Sequence, residues 1–100
     1  MTAYLVADVT VPDLDAYRES GYLDAAMETA AAFGGRYIVR GGTAEILEGD
    51  WRPGRLVIIE FPSMSNLLAW YGSDEYTPWI EVRRTLTESR LVAIEGVPEA

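Results

Sequence analysis

Residues 55–72, RLVIIEFPSMSNLLAWYG, join a strand directly to a helix and indicate the fold class. Arg55–Phe61 is rich in β-branched and aromatic side chains, as expected of a strand. Pro62 and Ser63 then predict a helix start, and Gly72 predicts the end of that short helix. A strand followed at once by a helix is typical of a sheet that is covered by helices.

The chain before this stretch predicts a first strand and a long helix. Ala3–Val9 contains Tyr, Leu and Val side chains that favour a strand. Asp13 is a good N-cap for the helix that follows, and the pair Gly34–Gly35 is an expected stop after Phe33. Gly21 is a point at which this helix can break or kink.

Two extended pieces, Arg36–Arg40 and Thr43–Glu48, lie on either side of Gly41–Gly42. Two glycines in this position are compatible with a tight hairpin or with a bend within one long strand. We favour the bend, because the second piece would then pair with Arg55–Phe61 across the loop Gly49–Gly54.

After Gly72, the sequence predicts one more helix and a final strand. Ser73–Glu75 opens a helical stretch that runs to about Leu86, and it has an irregular start at Tyr76–Pro78 because proline is tolerated only in the first turn. Glu88–Glu95 is the last strand. The order predicts one α+β domain over residues 1–100, with a ferredoxin-like βαββαβ fold in which helices cover one face of a four-stranded antiparallel sheet.

Composition and charge narrow the function classes. The 100 residues carry 16 acidic and 8 basic side chains, and the net charge of −8 disfavours nucleic acid and anionic membranes as partners. Without Cys or His, the chain has no thiolate nucleophile, imidazole base, usual zinc site or His ligand for haem. No export signal or membrane-spanning run is visible, and we expect a cytoplasmic protein with no cofactor and no dedicated metal site.

Alternation along each predicted strand divides the sheet into two faces. One face is uncharged and is expected beneath the helices: Leu5, Ala7, Val9, Tyr37, Val39, Val57, Ile59, Phe61, Val92 and Ile94. The other is apolar in its middle and charged towards its ends: Tyr4, Val6, Asp8, Arg36, Ile38, Arg40, Leu56, Ile58, Glu60, Leu91, Ala93 and Glu95. A second copy packed over this face would cover the apolar middle, which predicts a homodimer in which two sheets form one barrel.

Four stretches of this sequence resemble the domain of unknown function 1330 family. They are Gly34–Gly42, Glu48–Trp51, Arg55–Ser63 and Ala69–Tyr76, and Arg83 follows where that family places an Arg in its last helix. The resemblance implies a dimeric α/β-barrel of the ferredoxin-like kind. The wider superfamily includes small cofactor-independent monooxygenases, isomerases, decarboxylases and cyclases as well as haem-degrading enzymes, so it implies no single reaction.

The sequence departs from the family pattern at Thr77–Ile80, where a plainer, Ala-rich helical stretch is usual. This departure lies at the predicted rim of the site and is compatible with an altered ligand preference. The glycine pairs carry no phosphate-binding signal, because neither stands between a strand and the start of a helix. Trp51, at a loop tip, is either a simple loop residue or a contact with a partner subunit.

Asp8, Arg40 and Glu60 fall on one predicted face of neighbouring strands. An Arg between two carboxylates can bind an anionic substrate or hold one carboxylate ionised as a base, and the alternative is a structural cluster of ion pairs. Glu60 is the better candidate base, because it follows an apolar run in which desolvation could raise its pKa.

Aromatic side chains supply a second group of candidates. Tyr17, Trp70 and Tyr76 either belong to the core or line a pocket, in which the hydroxyls could polarise a carbonyl or protonate an enolate. Arg83 follows Trp79 by four positions, so it can share a helical face and offer its guanidinium to a carboxylate or phenolate, or it can be an exposed charge. These residues predict a pocket between the helices and the sheet, reached by Arg40 or Glu60 from a strand end.

Two functions remain compatible with these residues. The first is a small cofactor-independent enzyme, of the isomerase, cyclase or monooxygenase type, that acts on an enolisable or aromatic carbonyl compound. The second is a non-catalytic protein that binds a small ligand or serves as a dimeric interaction module. The use of Arg alone as the basic residue, with many Ala residues, is typical of a GC-rich bacterial source.

Overall fold

The four strands and four helices follow one another in the order β-α-α-β-β-α-α-β, which is the order that the sequence predicts. The computed structural model describes residues 1–98, and its elements are β1 (Ala3–Thr10), α1 (Leu14–Glu19), α2 (Tyr22–Ala32), β2 (Arg36–Arg40), β3 (Arg55–Phe61), α3 (Met64–Tyr71), α4 (Thr77–Leu86) and β4 (Glu88–Glu95). The strands form one antiparallel sheet in the order β2-β3-β1-β4. The α+β, ferredoxin-like fold is therefore confirmed.

Local signals place the helix boundaries. The Asp13 carboxylate accepts a hydrogen bond from the Ala16 N–H at 3.0 Å and so caps α1. Gly21 adopts a left-handed conformation with φ of 82°, which separates α1 from α2 at the predicted break. Ser63 caps α3 through the N–H of Asn66, and Pro78 stands in the first turn of α4, after an irregular turn over residues 73–76.

The predicted bend at Gly41–Gly42 is wrong. β2 pairs directly with β3, and residues 41–54 contain no helix or strand. Gly41 ends β2 in a left-handed conformation with φ of 67°, and its N–H donates to the Leu56 carbonyl at 2.7 Å. This is the last backbone hydrogen bond from the end of β2 to β3, and Thr43–Glu48 lies outside the sheet.

The predicted faces of β4 are reversed. Leu91 lies opposite Ala7 and so faces the helices, whereas Val92 lies opposite Val6 on the outer face. Both parities of β4 are apolar in sequence, so alternation within this strand could not choose between them. The register with β1 decides the face.

A β-bulge in β2 also changes the prediction. Tyr37 lies opposite Ile59 on the helix-facing side, but beyond the bulge Val39 lies opposite Ile58 and Arg40 opposite Val57. The extra residue shifts the alternation by one position. Val39 therefore faces outwards, and Arg40 faces the helices rather than the outer side.

The core lies between the helices and the inner face of the sheet. Its largest fully buried side chains are Trp70, Tyr76, Phe61, Ile59 and Leu67. The Trp70 ring stacks 4.1 Å from Tyr76 and 5.4 Å from Phe61, measured between ring centroids, and its indole N–H donates to Thr29 Oγ1 at 3.0 Å. This aromatic layer holds α3 and α4 over the sheet.

Candidate functional site

A small cavity lies between the helices and the inner face of the sheet, at the end where Arg55, Val9 and Ser89 are paired across β3, β1 and β4. Its apolar wall consists of Leu5, Ala7, Val9, Leu23, Val57, Ile59 and Leu91. Its aromatic and charged lining consists of Tyr17, Tyr22, Tyr37, Arg40, Arg55, Trp70 and Arg83. The cavity volume of about 30 Å³ is room for roughly two water molecules.

Arg83, on α4, is the most buried charged residue at this cavity, with 4% of its surface exposed. Its Nε donates to Ser89 Oγ at 3.2 Å and its Nη1 donates to the Tyr76 hydroxyl at 3.0 Å. Burial lowers the pKa of Arg83, but the Tyr76 and Tyr22 oxygens outweigh that effect and leave the pKa above its ordinary value. The guanidinium is therefore charged and fixed.

The Tyr76 hydroxyl links Arg83 to the far wall of the cavity, because it also shares a hydrogen bond of 2.6 Å with the Tyr22 hydroxyl. Burial, assisted by Tyr22, raises the pKa of Tyr76 far above its ordinary value. Tyr76 is neutral at physiological pH and supplies no negative charge to Arg83. Tyr76 itself stands behind the cavity rather than on its surface.

Two tyrosine hydroxyls are open to the cavity. Within residues 1–98 no hydrogen bond engages the hydroxyl of Tyr17 or Tyr37, and no side-chain oxygen or nitrogen of that range is both buried and unpaired. Burial raises the pKa of Tyr17 to about 12, against the lowering effect of Arg55 and Arg83, and burial also raises the pKa of Tyr37. Both phenols are neutral hydrogen-bond donors at physiological pH.

Arg40 and Arg55 stand at the open end of the cavity. The Arg40 guanidinium lies 5.9 Å from the centroid of the Tyr37 ring, and its Nη1 contacts Met27 Sδ at 3.5 Å. Arg55 lies opposite Val9 and so points to the same side of the sheet. Arg40 is exposed and Arg55 is half-buried, so these two side chains form the mouth.

The predicted cluster of Asp8, Arg40 and Glu60 does not form. Arg40 faces the helices because of the bulge, while Asp8 and Glu60 both lie on the outer face. Asp8 is opposite Leu56, four positions along β3 from Glu60, which is roughly 13 Å of strand. Glu60 pairs with Arg36 at 3.1 Å instead and lies outside the cavity, so the structure places it away from the base position expected for it.

Asp8 anchors the loop that precedes β3. Its carboxylate accepts hydrogen bonds from the Trp51 indole at 3.1 Å and from the Gly54 N–H at 2.8 Å, and it pairs with Arg90 at 3.2 Å. Burial raises the pKa of Asp8, but these three donors outweigh it, and the net pKa lies below its ordinary value. Asp8 therefore fixes the loop before β3 on the outer face of the sheet and is not part of the cavity. Trp51, which donates to it, remains half exposed.

Sequence patterns miss three residues of the cavity: Tyr22, Tyr37 and Arg55. Alternation along β2 does predict that Tyr37 faces the helices, but not that its hydroxyl lines a cavity. Arg55 can be placed only with the register of β3 against β1, and Tyr22 only once the break at Gly21 has turned α2. Of the predicted pocket residues, Tyr17, Trp70, Arg83 and Arg40 line the cavity.

No Asp or Glu of residues 1–98 lines the cavity. The same part of the chain holds no group of three Asp, Glu, His or Cys side chains suited to a metal ion. Nor does it contain a helix that is long and apolar enough to cross a membrane. The cavity is therefore apolar with a positive, phenol-lined end.

Comparison with known proteins identifies the family. A family model for a domain of unknown function, DUF1330, matches residues 2–97. The chain belongs to the DUF1330 family. No curated protein matches it.

Solved structures share the fold of this DUF1330 protein. RPA0582 from Rhodopseudomonas palustris, a protein of unknown function, is 19% identical with a TM-score of 0.75, over 98% of this chain and 84% of the other. Rv0793 from Mycobacterium tuberculosis is 19% identical with a TM-score of 0.65, over 100% and 99%. SnoaB from Streptomyces nogalater, a cofactor-independent oxygenase, is 15% identical with a TM-score of 0.55, over 98% and 95%. At these identities the likeness shows the fold alone.

Proposed function

We propose that this DUF1330 protein is a cofactor-independent enzyme that binds a small enolisable or aromatic carbonyl compound and stabilises its enolate or phenolate. The observation that carries the proposal is the buried Arg83 guanidinium, which is charged and lies on the cavity without a carboxylate partner among residues 1–98. A fixed positive charge in a site of low polarity favours the anionic form of a bound carbonyl compound.

Each polar residue of the cavity has a role in this proposal. A water or hydroxide from solvent takes the α-proton, Arg83 stabilises the oxyanion that develops, and Tyr76 is a positioning residue because it holds Arg83 at 3.0 Å. Tyr17, whose pKa is raised, donates a hydrogen bond to the oxyanion, or donates its proton to the enolate carbon and recovers one from solvent. Trp70 supplies an apolar wall for the ring or chain of the ligand.

The cavity must widen to admit such a compound, since about 30 Å³ holds only a few atoms. Arg40 is exposed at the mouth and packs on Tyr37 by a weak surface contact, so its side chain can swing outwards at low cost. The fold supports the proposal, since SnoaB, which shares it, is a cofactor-independent oxygenase.

Exchange of α-protons of a ketone for deuterium from solvent tests the proposal. Every reaction through an enolate begins with loss of an α-proton, so the test does not depend on the later steps. The protein is incubated in D2O with neutral ketones, acetophenone and acetylacetone, and loss of the α-proton signal is followed by NMR. We expect exchange faster than in buffer alone, and a decrease of about 100-fold in the protein-dependent rate for Arg83→Gln.

Arg84→Gln is the matched control, because Arg84 is the next residue on α4 but is exposed and pairs with Glu81. It should exchange α-protons at the wild-type rate. Exchange at the buffer rate for every ketone, or equal exchange by Arg83→Gln, would contradict the proposal.

A binding protein without catalysis is the second candidate, and one observation favours it. No carboxylate of residues 1–98 lines the cavity, so no strong base stands ready to remove a proton from the ligand. A thermal-shift screen of carbonyl compounds, with mass analysis of every hit, separates the two functions. Stabilisation without any product or exchange would favour the binding protein.

We also propose that the protein is a homodimer formed through the outer face of the sheet. Val6 lies between Ile58 and Val92 on this face, and Val92 and Ile94 are 61% and 56% exposed in the single chain. A second copy of the face would cover this apolar patch. At the charged ends of this face, Asp8 and Glu60 already form ion pairs within the chain. Burial of the apolar patch in a dimer would therefore leave neither carboxylate without a partner.

Val92→Asp tests the dimer. Val92 is exposed in the single chain, so the variant should fold, but it should be monomeric because a charge buried in the interface is strongly unfavourable. Light scattering should give twice the chain mass of 11.1 kDa for the wild type and once that mass for the variant. Leu68→Asp, at a residue of similar exposure on α3, is the control and should remain dimeric. A monomeric wild type or a dimeric Val92→Asp protein would contradict the proposal.

A further inference from the structure

We infer that the cavity is built for an organic anion, namely a small monocarboxylate whose carboxylate group binds Arg83 and whose entry is favoured by Arg40 and Arg55. The inference rests on the cavity of the proposed function but not on its reaction. The carboxylate occupies the Arg83 and Tyr17 donors that the proposed function gives to the enolate oxygen, so the two ligands exclude each other.

The distribution of ion pairs is the first argument. Three arginines pair with acidic residues on the surface: Arg36 with Glu60, Arg84 with Glu81, and Arg90 with Asp8. Within residues 1–98, none of the three arginines at the cavity has a carboxylate within 4.0 Å. In the same range the exposed Arg18 and Arg52 form no such pair either, but Arg83 is both unpaired and buried. In a chain of net charge −8, a positive site that attracts no acidic residue of the protein suits an anion from outside.

Strand register is the second argument, because it brings the three charges to one end of the sheet. Arg55 and Ser89 both lie opposite Val9, and Ser89 accepts the hydrogen bond from Arg83. Arg40 lies opposite Val57, two residues further along β3, and faces the cavity only because the bulge turns it inwards. Without the bulge, Arg40 would lie on the outer face.

Hydrogen bonding inside the cavity is the third argument. Arg83 donates through Nε to Ser89 and through Nη1 to Tyr76, and the Tyr22 and Tyr71 hydroxyls lie near enough to raise its pKa. No hydrogen bond among residues 1–98 is assigned to Nη2, which is not buried, and Arg83 lines the cavity. One carboxylate oxygen can accept from Nη2 and the other from the Tyr17 hydroxyl, and the volume of about 30 Å³ suits two oxygens in place of two waters.

The apolar wall decides between anions. Leu5, Ile59 and Trp70 line the cavity beyond its positive end, and their only polar side-chain group is an indole N–H that already donates to Thr29. A second anionic group placed against this apolar wall, away from the arginines and the open tyrosine hydroxyls, would be left without hydrogen bonds. A ligand with one anionic group and an apolar remainder matches both halves of the cavity in polarity, and the cavity must widen at its mouth to hold the remainder.

Benzoate and benzamide form a matched pair for the test, since they share size and shape but differ in charge. Calorimetric titration of the wild type should show benzoate binding at least about tenfold more tightly than benzamide. Arg83→Gln should abolish that preference, Arg83→Lys should retain part of it, and Arg84→Gln should match the wild type. Arg40→Gln and Arg55→Gln should each weaken benzoate binding less than Arg83→Gln does.

The outcomes separate this inference from the proposed function. Equal binding of benzoate and benzamide, or binding of neither by the folded protein, would overturn the inference. So would a preference for benzoate that Arg83→Gln leaves unchanged. Preferential binding of benzoate together with no α-proton exchange of any ketone would support the anion site and contradict the enzyme.

Discussion

The outer face of the sheet and the helix-facing side use charge in opposite ways. On the outer face, Asp8 and Glu60 each lie against an exposed arginine. On the helix-facing side, Arg83 is buried beside neutral tyrosines and no carboxylate lines the cavity that it shares with Arg40 and Arg55, as far as residues 1–98 are concerned. Paired surface charges stabilise a fold only slightly, whereas an unpaired buried charge is costly and is tolerated where a ligand can compensate it.

Substitution of Trp70 should have the largest effect on stability. Trp70→Ala removes the centre of the aromatic layer and should lower the free energy of unfolding by about 3–5 kcal/mol. Leu68→Ala, on the exposed side of the same helix, should change it by less than about 0.5 kcal/mol. Urea denaturation followed by tryptophan fluorescence and circular dichroism measures both, and similar values would show that α3 does not pack as described.

Removal of the Tyr76 hydroxyl tests the chain of hydrogen bonds that joins Tyr22, Tyr76 and Arg83. Tyr76→Phe leaves Arg83 Nη1 and the Tyr22 hydroxyl without their partner, which should cost about 1–3 kcal/mol of unfolding free energy. Tyr4→Phe, on the outer face, removes a hydroxyl that makes no hydrogen bond within residues 1–98 and should be nearly neutral. An equal loss in the two variants would indicate that the network does not stabilise the inner side.

Alkaline pH should destabilise the helix-facing side. Burial raises the pKa of Tyr17 from 10.0 to about 12, because the folded protein favours the neutral phenol. The contribution of this shift to the free energy of unfolding is complete below pH 10 and is lost as the pH rises through about 12. Unfolding of the wild type between pH 9 and pH 12 should show this loss, and Tyr17→Phe should lack its share of it. Identical pH profiles for the two proteins would contradict the burial of Tyr17.

Low pH should lower the free energy of unfolding by protonating Asp8 on the outer face of the sheet, and this is the smallest of the predicted changes in stability. The pKa of Asp8 lies below its ordinary value of 3.8, so its contribution is complete above that pH and is lost as the pH falls through the lower, folded-state value. Asp8→Asn should cost less than about 1 kcal/mol at neutral pH, because Arg90 is mostly exposed, and should flatten the acid limb of the stability curve. An unchanged acid limb would show that Asp8 does not anchor the loop.

Much of the fold could be predicted, because the signals involved are local. The cap at Asp13, the break at Gly21 and the limits of β3 and β4 depend on residues within a few positions of each other. Helical spacing from Trp79 leaves Arg83 either on the pocket side or exposed, and the tertiary packing of α4 decides for the cavity. The roles proposed for Tyr17, Trp70, Tyr76 and Arg83 remain predictions until the variants are measured.

The order of the elements, most helix boundaries and the family follow from local patterns in the amino-acid sequence. Strand pairing sets which way Arg40 and Val92 point, and it thereby separates Asp8 from Arg40 and places Arg55 and Arg83 in the lining of one cavity. The face of a strand residue depends on its register with a neighbouring strand and on any bulge between them. Register is a property of the pair, and a shift of one residue moves every later side chain to the other face.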